Sequence, residues 1–176
     1  MKYLLAAAFV LPLPLEVSAS SSTHITAAVN SPDRPENETS RDAKRKPGEV
    51  LSFIGVEPGM KVADLHGGSG YYTDLFSRAV GDNGSVMNHI NFYVRGRFMN
   101  AFGPGGTLEK RAAGKQWKKN VTIKYNDMEA IQSEKPLDIA FMGLFYHDTV
   151  WQGTERNKMN KAVFNALKPG GLYVIL

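Results

Sequence analysis

Val62-Ala63-Asp64-Leu65-His66-Gly67-Gly68-Ser69-Gly70-Tyr71-Tyr72-Thr73 is the stretch on which the fold turns. Lys61 to Leu65 is a short apolar run that ends beside an acid, as a buried strand does. Gly67, Gly68 and Gly70 follow at once, and then Tyr72 to Val80 places Leu75, Phe76, Ala79 and Val80 on one helical side, with Gly81 as the stop. Glycine accepts positive φ and lets a ligand approach the backbone. The helix that follows presents free N–H groups to an anion or a carboxylate. A tight glycine turn also serves packing alone, and both uses stay open at this point. The strand-to-helix junction with Asp64 at the strand end is what raises the ligand reading.

The pattern repeats on both sides. Upstream, Glu49 to Ile54 has helical spacing after Pro47, and Pro58-Gly59 turns the chain into the first strand. Downstream, Asp82-Asn83-Gly84 leads to a second strand, Ser85 to Ile90. Asn91 to Asn120 is the least regular part, broken by Gly103-Pro104-Gly105-Gly106, with Thr107 expected to cap a short helix running towards Trp117. Its basic residues, Arg95, Arg97 and Arg111 among them, read as a solvated face or as a phosphate-binding patch. Val121 to Tyr125 is a third strand ending at Asn126-Asp127. Leu137 to Leu144 is a fourth, nearly all apolar, as a central parallel strand should be. Thr154 is expected to cap a helix whose Met159, Ala162, Val163, Ala166 and Leu167 share a side, and Lys168-Pro169-Gly170-Gly171 turns into a fifth strand, Leu172 to Leu176. Strands separated by helical patterns predict an α/β, Rossmann-like fold: a central, mostly parallel sheet with helices on both faces. Ligands of such sheets sit beyond the carboxyl ends of the strands.

Composition agrees with one packed domain. Of 176 residues, 43% are hydrophobic and 22% charged, which excludes wholesale disorder. The absence of cysteine excludes a disulfide scaffold, a thiolate metal site and a cysteine nucleophile. His24, His66, His89 and His147 are far apart, so no local metal motif is visible and no metal is expected. Lys and Arg number 21 against 17 for Asp and Glu, too weak an excess to argue for nucleic acid. Met1-Lys2, the apolar run from Tyr3 to Leu15, and Val17-Ser18-Ala19 have the order of a secretory signal cleaved after Ala19. A protein exported to the periplasm or secreted is therefore expected. The run is too short for a membrane span, being broken by Pro12 and Pro14. Residues 20–40 are polar, carry Pro32 and Pro35, and read as a flexible linker to a domain over residues 41–176.

With these segments in order, residues 41–176 resemble a class I S-adenosylmethionine-dependent methyltransferase. The residues that carry the resemblance are Val62 to Thr73, Asn126-Asp127 and Leu167-Lys168-Pro169-Gly170-Gly171-Leu172-Tyr173-Val174-Ile175. More narrowly, Phe145-Tyr146-His147-Asp148-Thr149 with the Leu-Lys-Pro-Gly-Gly segment is similar to a bacterial group of predicted methyltransferases, some with signal peptides. The resemblance implies S-adenosyl-L-methionine as cofactor and a small-molecule acceptor. It places Asp64 and the Gly68 and Gly70 backbone by the methionine half of the cofactor, and Asp127 by the adenine, where a carboxylate accepts from the exocyclic amine. Lys168 to Gly171 would be a structural turn.

Two departures from the family pattern stand out. His66 occupies a place where the family usually has glycine, so an imidazole would intrude on the cofactor or would only replace glycine on a tolerant turn. The second strand ends in Asn88-His89-Ile90-Asn91, with no acid for the ribose hydroxyls, and Asn91 can hydrogen-bond but brings no charge. His147, after the fourth strand, lies where such a fold holds its acceptor. With Asp148 it is a candidate general base or a cap of the next turn. Trp151, Tyr146 and Phe145 would shape an acceptor pocket or pack in the core, and of Tyr71 and Tyr72, both candidates to line the cofactor pocket, one is expected to pack in the core. His24 and His89 read as surface or packing residues.

The family sheet usually continues beyond a fifth strand. The domain is thus expected to lack the last strands, or to shield its C-terminal edge strand by self-association. The competing reading is a non-catalytic exported domain that keeps the methyltransferase fold; export, His66 and the missing ribose acid favour it. A third is a polyanion binder using Arg95 to Lys119.

Overall fold

The computed structural model describes residues 23–114, 117 and 119–176. The expected secretory signal, residues 1–19, lies outside them.

Five strands form one parallel sheet in the order β3-β2-β1-β4-β5: β1 (Lys61–Leu65), β2 (Ser85–Ile90), β3 (Val121–Tyr125), β4 (Leu137–Met142) and β5 (Leu167–Ile175). β1 is central, pairing with β2 from Lys61↔Ser85 to Leu65↔His89 and with β4 from Val62↔Ile139 to Asp64↔Phe141. The strand order reverses between β1 and β4, so the crevice at their carboxyl ends is the topological switch point.

Alternation along the strands sends side chains to two cores. Val62, Val86, Ile139 and Phe141 face α1 (Thr23–Val29), α4 (Pro47–Phe53) and α5 (Tyr71–Val80). Ala63, Leu65, Ala140 and Met142 face the other side, which carries α6 (Phe92–Arg97), α7 (Met99–Phe102), α8 (Thr107–Ala113) and α10 (Arg156–Ala166), with the short α9 (Asp148–Trp151) between β4 and α10. Between β3 and β4 the chain makes only a 3-10 turn, Met128–Ala130. The predicted strand positions agree with the structure except that β4 stops at Met142, and β5 begins at Leu167. Lys168-Pro169-Gly170-Gly171 bulges outward opposite Asp138, since Leu137 pairs with Leu167 and Ile139 with Leu172. Lys168 anchors that excursion through an ion pair of 2.5 Å with Asp138, whose other carboxylate oxygen accepts from the Lys61 N–H at 2.7 Å.

Residues 23–40 are not a linker. α1 lies on α5 with Ile25 and Ala28 buried, and α2 (Glu36–Thr39) and α3 (Asp42–Arg45) continue the layer. The Arg34 guanidinium, fully buried, forks the Asp42 carboxylate at 2.7 and 2.9 Å, and the Tyr71 hydroxyl donates to the same carboxylate at 2.6 Å. A buried charge persists only when paired in this way. Tyr71 and Tyr72 are both buried against this layer and pack in the core. The predicted caps also shift. Thr107 and Thr154 do not cap; the residues before α8 and α10 are Gly106 and Glu155.

Candidate functional site

The turn between β1 and α5 is wound as tightly as its glycines predict. Gly68 and Gly70 have φ of 56° and 94°. The residue just before the glycine run does the same: His66 has φ 56°, in the left-handed region that an L residue rarely adopts. Its ring lies flat on Phe145, centroids 3.4 Å apart and planes 18° from parallel. Burial holds the imidazole neutral, its pKa pushed down to about 3 by desolvation and, second, by His89.

Asp64 sits beneath the turn, 2% exposed, with its carboxylate accepting from the Thr73 hydroxyl at 2.6 Å. Asn88 donates to that hydroxyl at 2.8 Å. A Cβ on Gly67 would stand 2.5 Å from an Asp64 oxygen, so only glycine lets the turn close over the acid. Desolvation pushes the Asp64 carboxyl up to about 6, against the lowering by Thr73 and Arg45. Asp64 thus ties β1 to the first turn of α5.

Above the turn, the Trp117 ring covers Gly70: a Cβ there would be 2.1 Å from the indole. Arg111 stacks on Trp117 at 5.1 Å, donates to the Ser69 carbonyl at 2.7 Å, and is ion-paired with buried Glu38. Sequence reasoning missed this cover, because Glu38, Arg111 and Trp117 come from separate segments and carry no shared motif.

Asn91 caps α6, its side-chain oxygen accepting from the Val94 N–H at 2.9 Å, while its amide donates to Gln152 at 2.5 Å. His89 is fully buried, hydrogen-bonded to the Asn126 carbonyl at 3.0 Å, and its pKa is pushed down to about 4 by desolvation. Asp127 is exposed and lines a cavity of about 470 Å³ with Asn91, Tyr93, Met128 and Gln152. Tyr93 and Gln152 also border a second cavity, of about 590 Å³, whose other walls include His66, Phe102, Phe145 and Asp148. Both volumes suit a small-molecule ligand. The structure therefore brings His66, Asp148, Asn91 and Asp127 to two adjoining cavities along the carboxyl ends of the strands. Asp64 and Gly70 lie below and beside them. His147 is exposed, 3.6 Å from Asp148, and makes no cap bond through its side chain. Tyr93 and Gln152 join the cavities yet carry no signal in the sequence.

Among the described residues no cluster of His, Asp or Glu is arranged to hold a metal ion, and no helix is long and apolar enough to cross a membrane.

No protein-family model and no curated protein matches the chain. Solved structures do. A SAM-dependent methyltransferase from Aquifex aeolicus is 23% identical with a TM-score of 0.60, covering 85% of this chain and 70% of its own. A SAM-dependent O-methyltransferase from Thermotoga maritima is 22% identical with a TM-score of 0.53, covering 86% and 48%. A glycopeptide N-methyltransferase complexed with S-adenosyl-L-homocysteine is 18% identical with a TM-score of 0.52, covering 72% and 45%. The chain thus spans about half the length of the latter two. At this level of identity the likeness is one of architecture: the chain has the fold of the S-adenosylmethionine-dependent methyltransferases.

Proposed function

We propose that the protein is an S-adenosylmethionine-dependent methyltransferase acting on a small-molecule acceptor. The observation that carries this reading is where the unsatisfied polar atoms lie. Of eight buried side-chain atoms without a hydrogen-bond partner among the described residues, six gather around the β1–α5 turn and the carboxyl ends of the neighbouring strands: His66 Nδ1, Asn88 Oδ1, His89 Nδ1, Arg111 Nε, Trp117 Nε1 and Asn126 Oδ1. Each such group costs about 1–3 kcal/mol when left unpaired. Of these residues His66 borders the 590 Å³ cavity, and the two adjoining cavities at the switch point suit an elongated ligand.

The residues present fit the cofactor at both ends. Asp127 would accept from the adenine amine, with buried Met128 as an apolar neighbour. The N–H groups at the head of α5 would receive the carboxylate of the methionine half. Asn91 is spent on Val94 and Gln152, so the ribose hydroxyls would meet an amide pair rather than an acid. When bound, the cofactor's sulfonium supplies a methyl group electrophilic enough for an oxygen or nitrogen nucleophile. The chain's own part is to orient that nucleophile in the 590 Å³ cavity and to hold its proton on Asp148, with His147 beside it.

Trp117 over Gly70 and His66 on Phe145 favour a second reading, a non-catalytic exported domain that keeps the fold. Calorimetric titration with S-adenosylmethionine and S-adenosylhomocysteine separates the two. Micromolar binding, weakened about tenfold by Asp127→Asn as expected for one hydrogen bond to a charged group, supports the enzyme. A folded protein that binds neither supports the second reading.

A further inference from the structure

The larger of the two cavities has an unusual lining. Tyr93, Phe98, Phe102, Phe145 and Trp151 give it five aromatic rings. Three of them are left open to solvent: Tyr93 and Phe98 each at 53% and Trp151 at 82% exposure. Exposed apolar surface gathered about a concavity marks a binding surface. The His66 ring, parallel to Phe145, doubles that wall into a flat two-layer platform. Flat walls select flat ligands, because offset stacking is lost by a puckered ring.

Two charges border the same cavity, Arg97 and Asp148. They make no ion pair with each other, and Arg97 pairs with no acid among the described residues. A guanidinium fork matches a carboxylate in two parallel bonds. A carboxylate such as Asp148 is an acceptor only, and calls for an O–H or N–H donor. Opposite charges held apart in an aromatic cavity describe a ligand with an acid at one pole and a proton donor at the other.

We propose that this cavity binds a planar aromatic acid carrying a hydroxyl or amino group, with the carboxylate on Arg97, the donor on Asp148, and the ring stacked on the His66–Phe145 wall. That this molecule is a methyl acceptor rests on the methyltransferase reading; that it binds does not. If methylated, the hydroxyl or amino group gives up its proton to Asp148 as its lone pair forms the new bond to the methyl carbon, and the methyl–sulfur bond breaks with its electrons returning to sulfur.

The test is a calorimetric titration of the full chain with 6-hydroxy-2-naphthoate, with and without S-adenosylhomocysteine. Three relatives each lack one feature: 2-naphthol has no carboxylate, 2-naphthoate no hydroxyl, and 4-hydroxycyclohexanecarboxylate no aromatic ring. The hydroxynaphthoate should bind about tenfold or more tightly than 2-naphthol and 2-naphthoate, the worth of one charge-assisted hydrogen bond, and more tightly than the cyclohexanecarboxylate, which cannot stack. Arg97→Gln should abolish the preference over 2-naphthol, and Asp148→Asn should reduce the preference over 2-naphthoate. Both side chains are at the surface of the cavity, so neither change threatens folding. Binding of 2-naphthol as tight as that of the hydroxynaphthoate, or no binding under either condition, overturns the proposal. S-adenosylhomocysteine binding without hydroxynaphthoate binding sinks this proposal and leaves the methyltransferase reading standing. The converse result sinks the methyltransferase reading and leaves the pocket.

Discussion

His66 holds a backbone conformation that costs a side chain of this kind about 1 kcal/mol or more. The ring recovers part of that by stacking on Phe145. His66→Gly removes both effects, so its net change in stability should be small, within about 1 kcal/mol in chemical denaturation. Its effect on ligand should be larger. On the methyltransferase reading the methionine half of the cofactor would pass close to this turn, and the imidazole, held neutral there by burial, would offer bulk without a compensating charge. Titration with S-adenosylmethionine should show tighter binding to His66→Gly than to the parent. Asp64→Ala should weaken binding in either background, because it frees the head of α5 from β1. If neither change moves the affinity, the turn is structural only. The turn, its acid and the glycine-like backbone at His66 were all readable from one run of residues. That Thr73 would occupy the Asp64 carboxylate was not, since it depends on the phase at which α5 starts.

At the scale of elements, the amino-terminal layer is the part the sequence hid. α1 buries only Ile25 and Ala28, too thin a stripe to show helical periodicity among its polar neighbours. Ile25→Ala should nonetheless cost about 2–4 kcal/mol, the usual loss for a fully buried aliphatic side chain. A true linker would lose nothing. Arg34→Ala should cost about 3 kcal/mol, because it strands the Asp42 carboxylate that Tyr71 also needs. Thermal denaturation of the two variants checks both figures. β1 and β4 were legible because each is a short apolar run closed by a glycine turn, and β3 because Asn126-Asp127 ends it. Trp117 was not, because its partner Gly70 is distant in the chain and adjacent only once the sheet is formed.

For the whole molecule, acid should be the weak side. His66 and His89 are held neutral in the fold, at about 3 and about 4, whereas both protonate near 6.5 when unfolded. Their contribution is present above pH 6.5 and is lost as pH falls towards 4. Asp42 and Asp138, kept below the usual carboxylate range by Arg34 and Lys168 despite desolvation, lose theirs at lower pH still. Asp64 runs the other way: raised to about 6, its contribution is full below about pH 4 and is lost as pH rises through 6. Two histidines outweigh one aspartate, so stability should fall between pH 6.5 and 4. His89→Gln should flatten that slope, and Asp64→Asn should steepen it. Denaturant midpoints taken across this range decide the matter; a pH-independent midpoint would count against the buried, neutral state of both rings.

The central place of β1 has a consequence for the nascent chain. Its β2 edge is closed soon after synthesis, but its other edge waits for β4, and Lys61 and Asp138 are 77 residues apart. At ordinary elongation rates that interval is roughly 4–15 s. Throughout it, Val62, Ala63 and Leu65 belong to a half-built sheet with an open apolar flank, which makes the first half of this chain a natural client for a holding chaperone.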